Sequence, residues 1–304
     1  MEKKKPLVSL CIAVYNHERY IRECLEAALA QTYEPLEIVV SDDCSEDRSF
    51  EIIEDVVSHY NGPHMVVLNR NPVNLGIGGN VYKKLELAHG EYYINCAGDD
   101  IPLPNRVEKV VDEWLRSERK LNLIFSNAII IDADSRDGGL YFMNAPRYCS
   151  TLADFVSDNR SRLSKILAPS VWMLGATSSY SREILVGFER MSHKVMQEDG
   201  VFSFRALLLG GMKYIDEPLQ KYRIHSNSVS YKQNYKSVAK LLSREYYYVK
   251  TQLHDAKSRN VQQEVIVELR KNLLIAILKR IVFSIPYLNI FCVKLVKRLN
   301  HKRK

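Results

Sequence analysis

Across the first 117 residues, apolar runs of strand length alternate with stretches whose apolar positions recur at helical spacing. Leu7–Val14 is almost wholly apolar, which predicts a strand buried on both faces. From Tyr20, the positions Ile21, Cys24, Leu25, Ala28 and Leu29 form one helical face ending near Gln31. Glu37–Val40 is the second strand. Phe50, Ile53, Val56 and Val57 then mark a helix that Ser45 or Asp47 can cap. Met65–Leu68 is the third strand, Asn71–Gly79 a loop loaded with Asn, Pro and Gly, and Val81–Ala88 a short helix. Tyr92–Ala97 is the fourth strand. It stops at Gly98, and Asn105 opens the next helical pattern after Pro102 and Pro104.

This alternation predicts an α/β fold with a parallel sheet and helices on both faces. The order then loosens: Leu121–Ile131 reads as a long strand, Ala133–Gly139 as a turn and Ala168–Ser179 as a loop. Gly200–Leu209 reads as a helix and Met212–Ile215 as a strand. Beyond Ser230 glycine disappears, and amphipathic helices are expected at about Tyr235–His254, Asn260–Phe283 and Leu288–Leu299. The expected organisation is therefore a domain over 1–230, with halves meeting near 117, and a helical region over 231–304.

Composition changes this picture little, since 46% hydrophobic and 26% charged residues are ordinary for a globular chain. Charge adds more. Most of the formal +7 comes from Lys3–Lys5 and from Lys294, Lys297, Arg298, Lys302, Arg303 and Lys304. Basic ends on a near-neutral body suggest an anionic surface as partner, or simply solvated termini. Without aromatics interleaved on a sheet face, nucleic acid is not the expected partner. Six cysteines show no metal-ligand spacing, and the first residues lack a signal-peptide apolar core, so a reducing, cytoplasmic location is expected.

The chemistry is expected at strand ends. Asp42 and Asp43 follow the second strand, and Asp99 and Asp100 follow the fourth. In a doubly wound sheet those ends share one edge and can face one crevice. No GxGxxG follows the first strand and no GxxxxGK[ST] occurs, which argues against a dinucleotide cofactor and an NTP-hydrolysing P-loop.

At this point the chain resembles the family 2 glycosyltransferases of GT-A fold. The resemblance rests on VSLCIAVYN (Val8–Asn16), SDDCSED (Ser41–Asp47), NLGIGGN (Asn74–Asn80), AHGEYYINCAGDD (Ala88–Asp100), QED (Gln197–Asp199) and YRIHSNSVS (Tyr222–Ser230), in the family's order. It implies an inverting transfer of a sugar from a UDP-sugar to a saccharide hydroxyl. Ala13 and Tyr15 would line the base, and Asp43 would hydrogen-bond it. Asn74 and Gly76 would hold the loop against the nucleotide. Asp99 would lie near the ribose or donor sugar, with Asp100 as ligand to Mn²⁺ or Mg²⁺. Asp42 is expected as an ordered turn residue. His225 is either a further metal or diphosphate ligand or a structural bystander, and Arg223 could pair with phosphates or with an acid. Asp199 would be the general base. Gly200 departs from the family, which often has an aromatic after Glu-Asp, and leaves the shape of the acceptor side open. Trp172 and Gly175 would belong to a segment closing over the donor, with plain core the alternative for Trp172.

The tail's longest uncharged run, Ile281–Val293, is broken by Pro286 and is shorter than the ~20 residues a membrane span needs. Peripheral membrane contact is the favoured reading of this basic, apolar tail, and a lid or homodimer contact is the competing one. By analogy, the acceptor is expected to be lipid-linked, in surface-polysaccharide assembly. A polyprenyl phosphate acceptor and a non-catalytic binding module are the rivals.

Overall fold

The computed structural model describes residues 4–142, 174–192, 194–195, 198–226, 228 and 238–284, with side chains beyond position 237 taken from 245–281. The alternating pattern forms β1 (Val8–Val14), α1 (Ile21–Leu29), β2 (Leu36–Asp42), α2 (Ser49–Ser58), β3 (Met65–Arg70), α3 (Gly76–Leu87), β4 (Tyr92–Ala97), β5 (Ile101–Pro102) and α4 (Arg106–Arg116). Then follow β6 (Leu123–Ile131), β7 (Asp137–Leu140), a 3₁₀ turn at Gly175–Thr177, β8 (Ser179–Ser181), α5 (Arg182–Val186), α6 (Glu198–Leu209) and β9 (Met212–Arg223). Two long helices, α7 (Val238–Ser258) and α8 (Gln263–Ser284), complete the described chain. The third tail helix expected at Leu288–Leu299 lies outside the described residues, as do Trp172 and Gln197.

Among the described residues the strands make a sheet ordered β3-β2-β1-β4-β8-β6-β9-β5, with β7 paired to β6. β1 runs parallel to β2 and β4, and β2 parallel to β3. The short β8 lies antiparallel between β4 and β6, and β6 is parallel to β9. The carboxyl ends of β1, β2 and β4 therefore meet at one edge.

β1 is buried on both faces, as its unbroken apolar run requires. Val8, Leu10, Ile12 and Val14 pack with Ile21, Leu25, Ile53, Val107 and Val110 of α1, α2 and α4. Cys11 faces the opposite core, with Val81, Leu85, Phe202, Val249, Leu253 and Leu269 of α3, α6, α7 and α8. The helices beyond position 230 thus share one core with the sheet domain.

Three differences from the expected elements have physical reasons. α3 begins at Gly76, inside the stretch read as loop, because its glycines hide the helical period. β9 runs on to Arg223, although Asp216, Glu217 and Pro218 interrupt the apolar pattern; register shifts between Ser126 and Ala128 of β6 absorb the interruption. Asp137–Gly139, the end of the stretch read as turn, joins Leu140 in the exposed edge strand β7.

Candidate active site

The strand ends are tied together by backbone before any side chain acts. Asp43 N–H donates to the Val14 carbonyl and Gly98 N–H to that of Ala13, each at 2.8 Å. Ala13 therefore sits in the floor of the crevice, and Tyr15, 43% exposed, stands at its rim. Asp42 is an ordered turn residue: its carboxylate accepts from the Ser45 hydroxyl and backbone N–H, with Arg70 at 3.6 Å.

Asp43 organises the next loop. It accepts from Asn71 Nδ2 at 2.8 Å, Leu75 N at 2.8 Å and Gly76 N at 2.9 Å. Gly76 takes φ +72, a left-handed conformation that side chains disfavour, and so brings its N–H to the acid. Asn74 Oδ1 shares that N–H at 3.0 Å. A carboxylate offers about four acceptor sites, so Asp43 keeps one for a ligand N–H.

The two acids after β4 face different ways. Asp100 is 1% exposed, and both its oxygens are taken, Oδ2 by Gln220 Nε2 and Oδ1 by Arg223 N, each at 2.8 Å. Burial first, and then the charge of Asp99, push its pKa well above the ordinary carboxylate range. Asp99 faces the crevice, where Oδ2 meets His225 Nε2 at 3.0 Å and His17 Nε2 at 3.9 Å. Burial opposes its charge, but the His225 hydrogen bond and the two imidazoles outweigh it and hold its pKa low. β9 thus engages both oxygens of Asp100, whereas Asp99 sets one oxygen against two imidazoles. Arg223 pairs with an acid, Glu23, at 2.6 Å, and donates to the Asp99 carbonyl at 2.7 Å.

One carboxylate beside an imidazole suits a hard divalent cation that takes its other ligands from diphosphate and water. Among the described residues, no group of three or more His, Cys, Asp or Glu side chains is placed to hold a metal by itself.

Glu198 and Asp199 open α6, where the helix dipole favours acids. Burial, then the neighbouring Asp199, pushes the Glu198 carboxyl up to about 8, against the pull of Lys84. Burial also raises Asp199, although Gly200 N–H donates to its Oδ1 at 2.8 Å. Two carboxyls so close titrate as a pair rather than one by one. On the crevice side, Gly175 lets the 3₁₀ turn lie against Asp199: a Cβ there would sit 3.0 Å from Oδ2. Tyr141 stands close enough to feel the Asp199 charge and meets Tyr222 edge-on at 5.7 Å.

Two residues that hold this turn were missed from sequence. Lys84, 1% exposed, donates to Asn95 Oδ1 at 3.1 Å, and Asn95 Nδ2 donates to the Gly175 carbonyl at 3.3 Å. Arg106, wholly buried, donates to the carbonyls of Asn95 at 2.6 Å and Ala176 at 3.1 Å. The available signal was a cation set among the apolar positions of a helix, Lys84 beside Val81 and Leu85, and Arg106 beside Val107 and Val110.

A model of glycosyl transferase family 2 matches residues 9–148, which hold β1 through β7 and the acids at 43 and 99. Residues 9–148 are thus similar to the family 2 glycosyl transferases. The chain is 33% identical over 133 residues to the uncharacterised glycosyltransferase MJ1057 of Methanocaldococcus jannaschii, covering 43% of this chain and 44% of that protein. It is 34% identical over 139 residues to the chondroitin synthase of Escherichia coli, covering 45% and 19%. A longer alignment, 29% over 231 residues, reaches EpsH of Bacillus subtilis, provisionally named a glycosyltransferase, and covers 74% and 62%. The chain thus spans less than two thirds of each of these relatives. The fold matches S. aureus TarS 1–349 in complex with UDP-GlcNAc, with TM-score 0.60, 19% identity and coverage of 94% of this chain and 75% of that one. It also matches the Pyrobaculum calidifontis mannosyltransferase PcManGT in complex with GDP-Man and Mn²⁺, with TM-score 0.54, 16% identity and coverage of 98% and 81%. The fold is therefore of GT-A type.

Proposed function

We infer that the protein is an inverting glycosyltransferase that moves a sugar from a UDP-sugar to a hydroxyl of a saccharide. The observation that carries this reading is the half-buried Glu198–Asp199 pair, of raised pKa, packed on the Gly175 turn that Asn95 of β4 holds, close in sequence to Asp99. Ala13 and Tyr15 line the base and the spare acceptor site of Asp43 receives its imide N–H, which favours uracil. The TarS complex with UDP-GlcNAc supports the same base. Asp99 and His225 would hold a divalent cation, which when bound neutralises charge growing on the departing diphosphate. Asp199 takes the proton of the acceptor hydroxyl, a poor nucleophile unless a base relieves it. The hydroxyl oxygen then bonds to the anomeric carbon as the carbon–oxygen bond to the diphosphate breaks on the opposite side, which inverts the configuration.

A lipid-linked acceptor at the inner face of a membrane fits α8, whose Leu274, Ile275 and Leu278 are exposed beside Arg270 and Lys271. None of the described helices is long and apolar enough to cross a membrane. The deciding experiment is a panel of nucleotide sugars, scored for nucleotide release with Mn²⁺ and with EDTA in the presence of saccharide acceptors. Release from a UDP-sugar that EDTA abolishes is expected, and no release from any donor would refute the reading. Retained rate in Asp199→Asn would move the acceptor to a polyprenyl phosphate, already ionised and in no need of a base.

A further inference from the structure

The residue after the base is a glycine, and the room it leaves is filled from far along the chain. A Cβ built on Gly200 would lie 2.7 Å from Cε2 and 3.0 Å from the hydroxyl oxygen of Tyr248 in α7. That hydroxyl donates to the Gly200 carbonyl at 3.3 Å and accepts from Gln252 Nε2 at 2.9 Å. Tyr248 and Gln252 are both buried. Gly175 closes the other side of Asp199, its own Cβ direction ending 2.9 Å from the Asp199 Cβ. The acid is therefore bracketed between the 3₁₀ turn and a ring that α7 inserts at the first turn of α6.

We propose that Tyr248 is a positioning residue for Asp199: its ring takes the place of a side chain at position 200, fixes the first turn of α6 and keeps water off the back of the carboxyl. The inference rests on the transferase reading given above. It makes α7 part of the setting of the base. A side chain at position 200 and a ring at position 248 exclude each other, since contacts of 2.7 Å are not tolerated by real Cβ atoms. The phenol stays protonated, because burial and the nearby Asp199 both raise its pKa.

The test compares Tyr248→Phe, Tyr248→Ala, Gly200→Leu, the double variant Gly200→Leu with Tyr248→Ala, and Lys250→Ala on the exposed side of α7. Each is followed by kcat, donor KM, the pH profile of kcat and the melting temperature. Tyr248→Ala should lower kcat by about 10- to 100-fold, the scale of a small misplacement of a reacting group, at little change in donor KM. Its acidic limb should move to lower pH, because water admitted behind Asp199 relieves the burial that raises its pKa. Tyr248→Phe should keep kcat within a few-fold and leave the limb in place. Gly200→Leu should be impaired alone and partly rescued by Tyr248→Ala, while Lys250→Ala should match the wild type. An unmoved limb in Tyr248→Ala, with kcat falling only as far as the folded fraction falls, would overturn the proposal, as would no rescue in the double variant. A wild type that transfers no sugar would overturn the functional reading and this inference with it. Transfer by the wild type with Tyr248→Ala indistinguishable from it would overturn the inference alone.

Discussion

Breaking the ion pair between α6 and α7 should cost far more than replacing it. Arg205 is wholly buried and Asp255 is 1% exposed, with Nε to Oδ2 at 2.7 Å. The guanidinium also donates to the carbonyls of Ile184 at 3.3 Å and Glu189 at 2.7 Å. In Asp255→Ala those carbonyl bonds remain, but the cation loses its counter-charge with no water to replace it. The expected loss is about 3–5 kcal/mol. The carboxyl itself shows why the pair as a whole adds little: burial outweighs the attraction of Arg205 and leaves the Asp255 pKa raised. A carboxyl raised in the folded state favours folding at low pH and loses that advantage as pH rises through its folded pKa, so at neutral pH its burial is a net cost. Arg205→Met combined with Asp255→Leu should therefore fall within about 1–2 kcal/mol of the wild type, far above either single variant. Urea unfolding of the wild type, Arg205→Met, Asp255→Leu and the double variant at pH 7, read as midpoint and slope, closes the double-mutant cycle. A loss under about 1 kcal/mol in Asp255→Ala, with unchanged slope, would refute the reasoning and leave apolar packing alone to hold α7.

Asp199→Asn should lower kcat by about 10²–10⁴-fold while donor binding, followed by calorimetry, stays intact. In the wild type, the acidic limb of kcat should lie above the ordinary carboxylate range, because burial raises both members of the pair and the base works only when ionised. Asp99→Ala should abolish Mn²⁺-dependent donor binding at near-normal melting temperature. Asp100→Ala should instead lower stability by about 1–3 kcal/mol through the stranded Gln220 amide and Arg223 N–H, measurable by thermal melting. Leu274→Glu with Leu278→Glu should reduce co-sedimentation with anionic vesicles without changing sugar transfer to a soluble acceptor.

The first four strands were legible because each is an apolar run too short for a helix and bounded by Asp, Gly or Pro. Of β9 only Met212–Ile215 was legible, since the next three residues carry charge or a missing N–H and only its partner β6 compensates. The acid pair after β4 was visible as a pair, but not that its members take different partners: neighbouring residues at a strand end point opposite ways, and Gln220 and Arg223, which bind Asp100, lie more than a hundred positions later. Lys84 looked like an ordinary helix cation because nothing local shows that its amine ends against Asn95. Tyr248 was read only as part of an amphipathic helix, since the cleft it fills is made by glycine 200.

Arg223 spans the Asp99 carbonyl, Glu23 of α1, the Asp132 carbonyl and the Ser135 hydroxyl, while its own backbone N–H secures Asp100. The two acids after β4 are thus latched by one arginine to α1 and to the turn between β6 and β7. Loops elsewhere along that sheet edge can change without loosening the latch, so the acids keep their places whatever those loops come to hold.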